Sequence, residues 1–299
     1  MFNYIAFGLH IASEIEFPEL FPDSQTNPAD VSITIGKTPE NLTAGKIDNV
    51  ELWITPEEYL IHYKDIGWYY ASNGKEIIVQ PCSKSDPKLI RLYLLSNAMA
   101  AIIHQRKLIP FHASGIFIKG GIALITGPSG SGKSTTLKAL TTRGHKIFTD
   151  DVCVLKEKDE TILATPSYPM IKLWKESFDL LSLGDEQRTH GLYQHSNKFG
   201  VFFHDQFVSS WEPPLKIFNI EKLDSAEKVT LSKPEGSNAF KLIGENTYRN
   251  HYVEAMKLNS LHFKLVSGLV KQCDVFTLTR PLHTDSISQI VSMIEDQIQ

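Results

Sequence analysis

Apolar and polar residues alternate with a period of two through much of the stretch from residue 1 to about 81, in VSITIG (31–36), VELWIT (50–55), YLIHY (59–63), GWYYAS (67–72) and EIIVQ (76–80). That period puts successive side chains on opposite faces of a strand. Turn-forming runs at Lys64 to Gly67 and Ser72 to Lys75 separate the segments, and the pattern predicts an antiparallel β meander. Beyond Pro81 the period changes. Asp86 followed by Pro87 reads as an N-cap with proline at the first helical position. Leu89, Leu92, Met99 and Ile103 then recur at helical spacings, which predicts a core-facing helix to about Arg106.

HASGIFIKGG and IALITG read as two apolar strands joined by a turn at Lys119 to Gly121, followed by a glycine-rich run, a helix from near Ser134 and a single strand IFTDDVCVL. Residues 166–214 are the least regular, with a helix predicted in IKLWKESFDLLSL and a polar stretch behind it. Long irregular segments inside compact domains tend to be functional. LKIFNIEKL and VFTLTRP read as strands, with helices near 237–249 and 258–271. A final helix from near Asp285 carries Ile287, Ile290, Val291, Ile294 and Ile298 on one stripe. The order of elements predicts an α/β (α+β) fold with a β-rich domain over 1–84 and a second domain over 85–299. The aromatic stretch ELWITPEEYLIHYKDIGWYY could offer an edge strand to a peptide, although ordinary core and cross-strand packing explains such aromatics better.

With 299 residues, 42% hydrophobic and 21% charged, the chain is long enough to bury a sizeable core. A net charge of −4 and a pI near 6.3, without a basic block, argue against a nucleic-acid partner. Cys82, Cys153 and Cys273 are too scattered for a zinc site or a disulfide framework. The start, MFNYIAFGLHIASEIEF, lacks the charge and apolar run of a signal peptide, and no stretch is long enough to span a bilayer. A cytoplasmic protein without membrane partners is expected.

The glycine-rich run matches G-x-x-x-x-G-K-[ST] from Gly127 to Ser134, between a predicted strand and a predicted helix. Glycines let the backbone wrap a phosphate closely, so Gly127, Ser129, Gly130, Ser131, Gly132, Lys133, Ser134 and Thr135 are the candidate ATP-binding residues. Lys133 supplies a compact positive charge, and the Ser134 hydroxyl is a candidate Mg²⁺ ligand. Seventeen residues after that lysine stand Asp150 and Asp151. As neighbours on a strand they should face different partners, one helping to hold Mg²⁺ and the other meeting an acceptor hydroxyl. No later apolar run ends in a convincing acidic pair, which favours transfer to a bound acceptor over simple hydrolysis. Lys198 and Arg249 are candidates for stabilising charge on a transferring phosphoryl group. His190, His195, His204 and His251 lack metal-ligand spacing and read as surface or acceptor-pocket residues.

The stretch from His112 to Asp151 resembles the core of the HPr serine kinase/phosphorylase family. It has a histidine fifteen residues before the first loop glycine, then ITG-x-SG-x-GKS, an RGH at Arg143, Gly144 and His145, and the aspartate pair. The resemblance implies a P-loop core of the HPr-kinase and carboxykinase kind, ATP and Mg²⁺ as cofactors, Ser134 with one aspartate on the metal, and the other aspartate as base toward a serine hydroxyl. On that reading Asp150 is assigned as base, Asp151 as metal ligand, and His112 lies near the acceptor end. Two departures limit it: Thr135 replaces the glutamate of the bifunctional enzymes, and their arginine- and glycine-rich C-terminal signature is missing, so phosphorylase activity is not expected.

YPMIKLW (168–174), SNKFGV (196–201), ENTYRN (245–250) and TLTRP resemble shorter HPr-kinase-like proteins of biosynthetic clusters, including kinases of the C-terminal serine of lasso-peptide precursors. The implied function is a serine kinase acting on a peptide or protein, with homo-oligomers among the family's habits. Two alternatives remain: a small-molecule kinase or carboxykinase-like enzyme, and a regulatory ATP-binding module without catalysis.

Overall fold

The computed structural model describes every residue except 25–27, 48–49, 182–197, 283 and 299. Eight strands build the first sheet: β1 (Phe2–Ala6), β2 (Leu9–Ser13), β3 (Phe21–Pro22), β4 (Val31–Ile35), β5 (Leu52–Ile54), β6 (Glu58–Tyr63), β7 (Gly67–Ser72) and β8 (Glu76–Pro81). Their order is β3-β1-β2-β4-β8-β7-β6-β5. The antiparallel expectation holds from β5 to β8 but fails at β4, which runs parallel to both β2 and β8. Alternation records which face of a strand is buried and is blind to direction. Long excursions on both sides of β4 bring it in parallel to its neighbours. At the β5 edge the outward backbone groups are already used, since the Ile47 N–H donates to Leu52 O and the Ile54 N–H to Gly45 O, both at 2.8 Å. The opposite edge is β3, two residues long and ending in proline. These are ways of blunting an edge against added strands.

The helix after Pro81 begins as expected, with the Asp86 side chain accepting the Lys88 N–H ahead of Pro87. It comprises α1 (Pro87–Tyr93), a π-helical turn (Leu94–Ala98) and α2 (Met99–Gln105). The wide turn inserts one residue and rotates the buried face, so Ile90 and Leu94 lie inward with Met99 and Ile103, while Leu89 and Leu92 are only half-buried. This helical segment packs on the first sheet in one core with Tyr4, Tyr69 and Val79.

Next come β9 (Ile109–Phe111), β10 (Ser114–Ile118), β11 (Gly121–Thr126), α3 (Lys133–Thr142), β12 (Ile147–Thr149), β13 (Cys153–Lys158), β14 (Thr161–Pro166), β15 (Met170–Trp174) and α4 (Lys175–Leu180). Beyond residue 197 follow β16 (Lys198–Phe202), β17 (Pro214–Leu223), β18 (Thr230–Ser232), α5 (Asn238–Glu245), α6 (His251–Ala255), α7 (Asn259–Gln272), β19 (Asp274–Pro281) and α8 (Ile287–Ile298). The central sheet has order β12-β10-β11-β17-β19-β18, with β11, β17 and β19 mutually parallel. Ala123 and Ile125 of β11 face α3 and α8, while Ile122 and Leu124 face α7 and the β13–β14 pair. A strand covered on both sides needs apolar residues throughout, which is why IALIT lacks the alternation of the first sheet.

The fold is mixed α/β, and two predicted elements change. IFTDDVCVL is two strands in two sheets, β12 on β10 and β13 on β9 and β14, so the aspartates lie at a break between sheets. IKLW is strand β15, paired with β16, and the helix starts only at Lys175. Both runs are apolar enough to satisfy either pattern, and pairing partners decide.

The stripe on α8 buries Ile287, Ile290, Val291 and Ile294 against α3 and the sheet. Ile294→Ala should therefore leave a cavity behind the phosphate-loop helix and destabilise the fold by about 2–5 kcal/mol in denaturant titrations. A loss below about 1 kcal/mol would contradict this packing.

Candidate active site

The chain leaves β11 at Thr126 and enters α3 through a loop with three glycines at positive φ: Gly127 (130°), Gly130 (78°) and Gly132 (110°). A Cβ on Gly127 would stand 2.4 Å from the Ile220 carbonyl oxygen, so only glycine fits there. The loop curls around its own lysine: Lys133 Nζ donates to the carbonyls of Gly127 (2.8 Å) and Pro128 (3.1 Å). Burial pushes the Lys133 ammonium below its usual value, against the pull of Asp150 and Asp151. Thr135 bonds Ser177 of α4 at 2.8 Å, and the Ser131 hydroxyl is buried with no hydrogen-bond partner. From outside the loop, Asn246 Oδ1 accepts the Gly127 N–H at 3.1 Å.

The aspartates diverge because of a tight turn. The Val152 N–H reaches back to the Asp150 carbonyl at 2.9 Å, and Asp151 between them has φ +69°, the rare positive-φ γ-turn. A strained conformation of this kind persists only where its surroundings over-determine it. Asp150 is 1% exposed. Its Oδ1 accepts from Ser114 Oγ at 2.6 Å and from the loop's Ser134 Oγ at 3.0 Å, and its Oδ2 accepts the Lys172 N–H at 2.9 Å. A hydroxyl and a carboxylate so placed form a hard-oxygen donor set suited to Mg²⁺.

Asp151 turns the other way. Its carboxylate meets Lys172 Nζ at 2.5 Å, and its carbonyl accepts the Nδ1–H of His112 at 2.7 Å. Burial alone would raise the Asp151 carboxyl, but the Lys172 ammonium and then His112 hold it well below the usual carboxylate range. Burial lowers the His112 imidazole, only partly opposed by Asp151, so the ring is neutral near pH 7. With Nδ1 donating, Nε2 remains an acceptor.

Two cavities meet at this point. The larger, of about 390 Å³, is lined by the loop, Asp151, Lys172, Lys198 and Arg280, with Trp174 at its rim. The smaller, of about 190 Å³, shares Asp151, Lys172 and Lys198 and adds Tyr248 and Arg249. Of the residues singled out in the sequence, His112, Ser129, Gly130, Lys133, Ser134, Asp151 and Lys198 line the larger cavity with Gly132 and Thr135, Asp150 lies buried against Ser134, Gly127 and Ser131 are outside its lining, and Arg249 lines only the smaller cavity. A third space of about 720 Å³ lies beyond His112 and Gly127, where Asn219 and Glu221 of β17 project. Glu221 is a later acid on an apolar strand, missed in the sequence, but its Oε1 accepts from Asn219 (2.9 Å) and the Ser134 hydroxyl goes to Asp150.

Sequence reasoning also missed Lys172, Ser114, Asn246 and Arg280. Lys172 had a signal: a single lysine within Met170-Ile171-Lys172-Leu173, now 7% exposed, is a charge forced inside and in need of a partner. Arg143 and His145 of the RGH turn both bind Glu295 of α8, at 2.6 and 3.1 Å, which ties the far end of α3 down. His204 donates to Leu20 O, His251 is exposed beside Tyr252, and His190 and His195 lie outside the described residues, as do Ser196 and Asn197 of SNKFGV. Among the described residues no group of three acidic, histidine or cysteine side chains could hold a metal ion, and no helix is long and apolar enough to cross a membrane.

No family model matches the chain. Over 131 residues, 39% of this chain, it is 30% identical to proteins named HPr kinase/phosphorylase from Listeria welshimeri, Listeria monocytogenes and Listeria innocua. The match spans 42% of the length of these curated relatives. The Hpr(Ser) kinase/phosphatase structure from Coxiella burnetii aligns with 63% of this chain and 89% of that one, at a TM-score of 0.33 and 15% identity.

The pair Lys172–Asp151 gives a pH prediction. A carboxyl depressed in the folded state adds stability that is complete above the ordinary value of about 4 and is lost as pH falls toward the depressed one. Wild-type Asp151 should therefore stay ionised at pH 4 in a ¹³C NMR titration. In Lys172→Met the same carboxyl should titrate above the ordinary range, because burial then acts unopposed by that ammonium. An Asp151 signal that moves identically in both proteins would show that the pair does not set its charge.

Proposed function

We propose that the chain is an ATP-dependent kinase that transfers the γ-phosphoryl group to a hydroxyl of a peptide or protein. The observation that carries this reading is the hydrogen bond between Ser134 and Asp150 on one side of a turn whose other side, Asp151, opens onto a second pocket. Donor and acceptor compartments then meet at one dipeptide. The partial similarity to HPr kinase/phosphorylases supports the same class. A finer form, transfer to the C-terminal serine of a lasso-peptide precursor, rests on the sequence resemblance of the YPMIKLW, ENTYRN and TLTRP segments.

In this proposal the roles of the aspartates are the reverse of the sequence assignment. Asp150, bonded to Ser134, is the metal-side carboxylate, and Asp151 faces the acceptor. Mg²⁺ would be held by Ser134 and Asp150 and would supply charge neutralisation between the phosphates. The loop amides and Lys133 bind the phosphates, and Lys172 and Lys198 stand where charge spreads on the group in flight. Asp151, kept ionised by Lys172, accepts the hydrogen bond of the incoming hydroxyl and orients it. In a loose phosphoryl-transfer transition state orientation matters more than early deprotonation, so a weakly basic carboxylate suffices. The small second pocket equally suits a small-molecule acceptor, which would be phosphorylated without any peptide.

The assignment of the N-terminal portion to residues 1–84 enters as a supporting role: Tyr63 of β6 stacks on Tyr93 at 3.9 Å and accepts from Asn97 at 2.7 Å, bracing one wall of that pocket.

Incubation with ATP, Mg²⁺ and serine-containing peptides should add the mass of one phosphate. Asp150→Asn should lower transfer by about 10²-fold or more while retaining ATP binding, and Lys133→Ala should weaken ATP binding itself. Transfer left intact in both Asp150→Asn and Asp151→Asn would sink the mechanism. ATP binding without transfer to peptides or small hydroxyl compounds would identify a regulatory module instead.

A further inference from the structure

We infer that the pocket beside Asp151 is a carboxylate-reading acceptor subsite, in which Arg249 anchors a carboxylate carried by the acceptor close to its hydroxyl. The inference deepens the kinase reading and rests on it for the direction of transfer, but the anion site itself stands on the geometry of Arg249.

Charge balance is the first observation. Lys172, Lys198 and Arg249 line a space of about 190 Å³ whose one acid among the described residues is Asp151, and that acid is engaged by Lys172. Arg91, Arg106 and Arg143 of this chain each hold a carboxylate, from Glu19, Asp30 and Glu295. Arg249 has no ion-pair partner among the described residues, and its Nε is buried without a hydrogen bond. The guanidinium lies over the Tyr248 ring at 5.2 Å. Its other neighbours are Tyr59, Tyr63 and Tyr252, whose hydroxyls burial pushes up, so they stay neutral and supply no negative charge. The Tyr248 hydroxyl is hydrogen-bonded to this guanidinium, but a partly desolvated guanidinium with no carboxylate beside it is expensive unless a ligand completes it.

Backbone placement is the second observation. Arg249 has φ +56°, a strained value for a non-glycine residue. It is pinned from both sides: the Tyr248 N–H donates to Pro110 O and the Tyr252 N–H to Arg249 O, each at 2.8 Å. The chain thus fixes the backbone from which this side chain enters the pocket that Asp151 also lines. The remaining wall is the π-helical turn, with Ser96 and Asn97 turned toward the space. Such turns recur at functional sites because they re-aim side chains that a regular helix would point elsewhere.

The division of cations between the cavities then assigns the anion. The donor cavity has Lys133, Lys198, Lys222 and Arg280 for phosphate, and Arg249 is not among its lining residues. Arg249 is therefore placed for an anion arriving with the acceptor, and its planar fork matches a carboxylate with two parallel hydrogen bonds. A pocket of this size takes a chain terminus or a short acidic side chain. With the carboxylate on Arg249, the adjoining hydroxyl falls toward Asp151, which lines the same pocket.

The test is binding by calorimetry, in the presence of ADP and Mg²⁺, of N-acetylserine, N-acetylserinamide and acetyl-Ser-Asp-amide to the full chain. At least one carboxylate-bearing probe should bind about tenfold or more tighter than N-acetylserinamide, and which one does so tells a chain terminus from a side chain. Arg249→Gln should abolish the difference and Arg249→Lys, which keeps the charge without the fork, should retain only part of it. Ser96→Phe, which fills the pocket without changing charge, should abolish it too and serves if thermal melts show Arg249→Gln to be unfolded. Equal binding of all three probes to the wild type overturns the inference. Transfer assays with ATP on the same probes separate the two proposals. Transfer with equal kcat/KM for acid and amide leaves a kinase without this subsite. Carboxylate-selective binding without transfer leaves the subsite without a kinase. An equal fall in kcat for both acceptors in Arg249→Gln, with binding preference kept, would assign Arg249 to the phosphoryl group and overturn the subsite.

Discussion

One residue holds the two aspartates apart and in place. The backbone N–H of Lys172 bonds Asp150, and its ammonium bonds Asp151. A buried ammonium needs acceptors around it, here a carboxylate, and a carboxylate in a strained turn keeps its position only if something holds it. The β15–β16 pair carries this lysine into the site, with Lys172 opposite Gly200 and Lys198 opposite Trp174. The two lysines that line both cavities are therefore delivered by one antiparallel strand pair, and its register decides where positive charge stands relative to the loop.

The rest of the architecture aims elements at that point. β11 ends in the glycine-rich loop, β12 ends in the aspartates, and both strands point the same way because each is antiparallel to β10. The chain then leaves the central sheet and joins β9, and the γ-turn at Asp151 is the joint. Both faces of the central sheet are covered, so the loop is anchored on a strand that cannot shift without disturbing two cores. From the other side, residues 246–249 reach the site in sequence: Asn246 on Gly127, Tyr248 beside His112, and Arg249 in the second cavity.

The first sheet acts at a distance. Its edges are closed by the 45–47 segment and by the short, proline-ended β3, but two tyrosines on β6 reach the site's supporting shell. Tyr63 braces the π-helical turn, and the Tyr59 and Tyr252 hydroxyls meet at 3.0 Å behind Arg249. Two of the aromatic residues that could be read as a peptide-facing edge, Tyr59 and Tyr63, are thus part of the packing behind the second pocket's walls.

The local chemistry was legible in the chain itself. The loop from Gly127 to Ser134, the cap at Asp86, the stripe on α8 and the burial of IALIT all follow from short-range rules, because glycine geometry, capping and periodicity depend on residues within a turn or two of each other. What a single sequence did not contain was direction and company. Alternation could not say that β4 runs parallel to its neighbours, nor that IFTDDVCVL breaks between sheets. Asp150 and Asp151 were legible as neighbours facing different partners, yet which one meets Ser134 depended on a positive-φ turn and on a lysine more than twenty residues away. Arg249 was legible as a cation, and only the packing of α1, the π-helical turn and the tyrosines placed it in the smaller cavity with Asp151 rather than over the glycine-rich loop. Contacts between residues far apart in the chain are settled by how the sheets and helices share their cores, and that is a property of the whole fold.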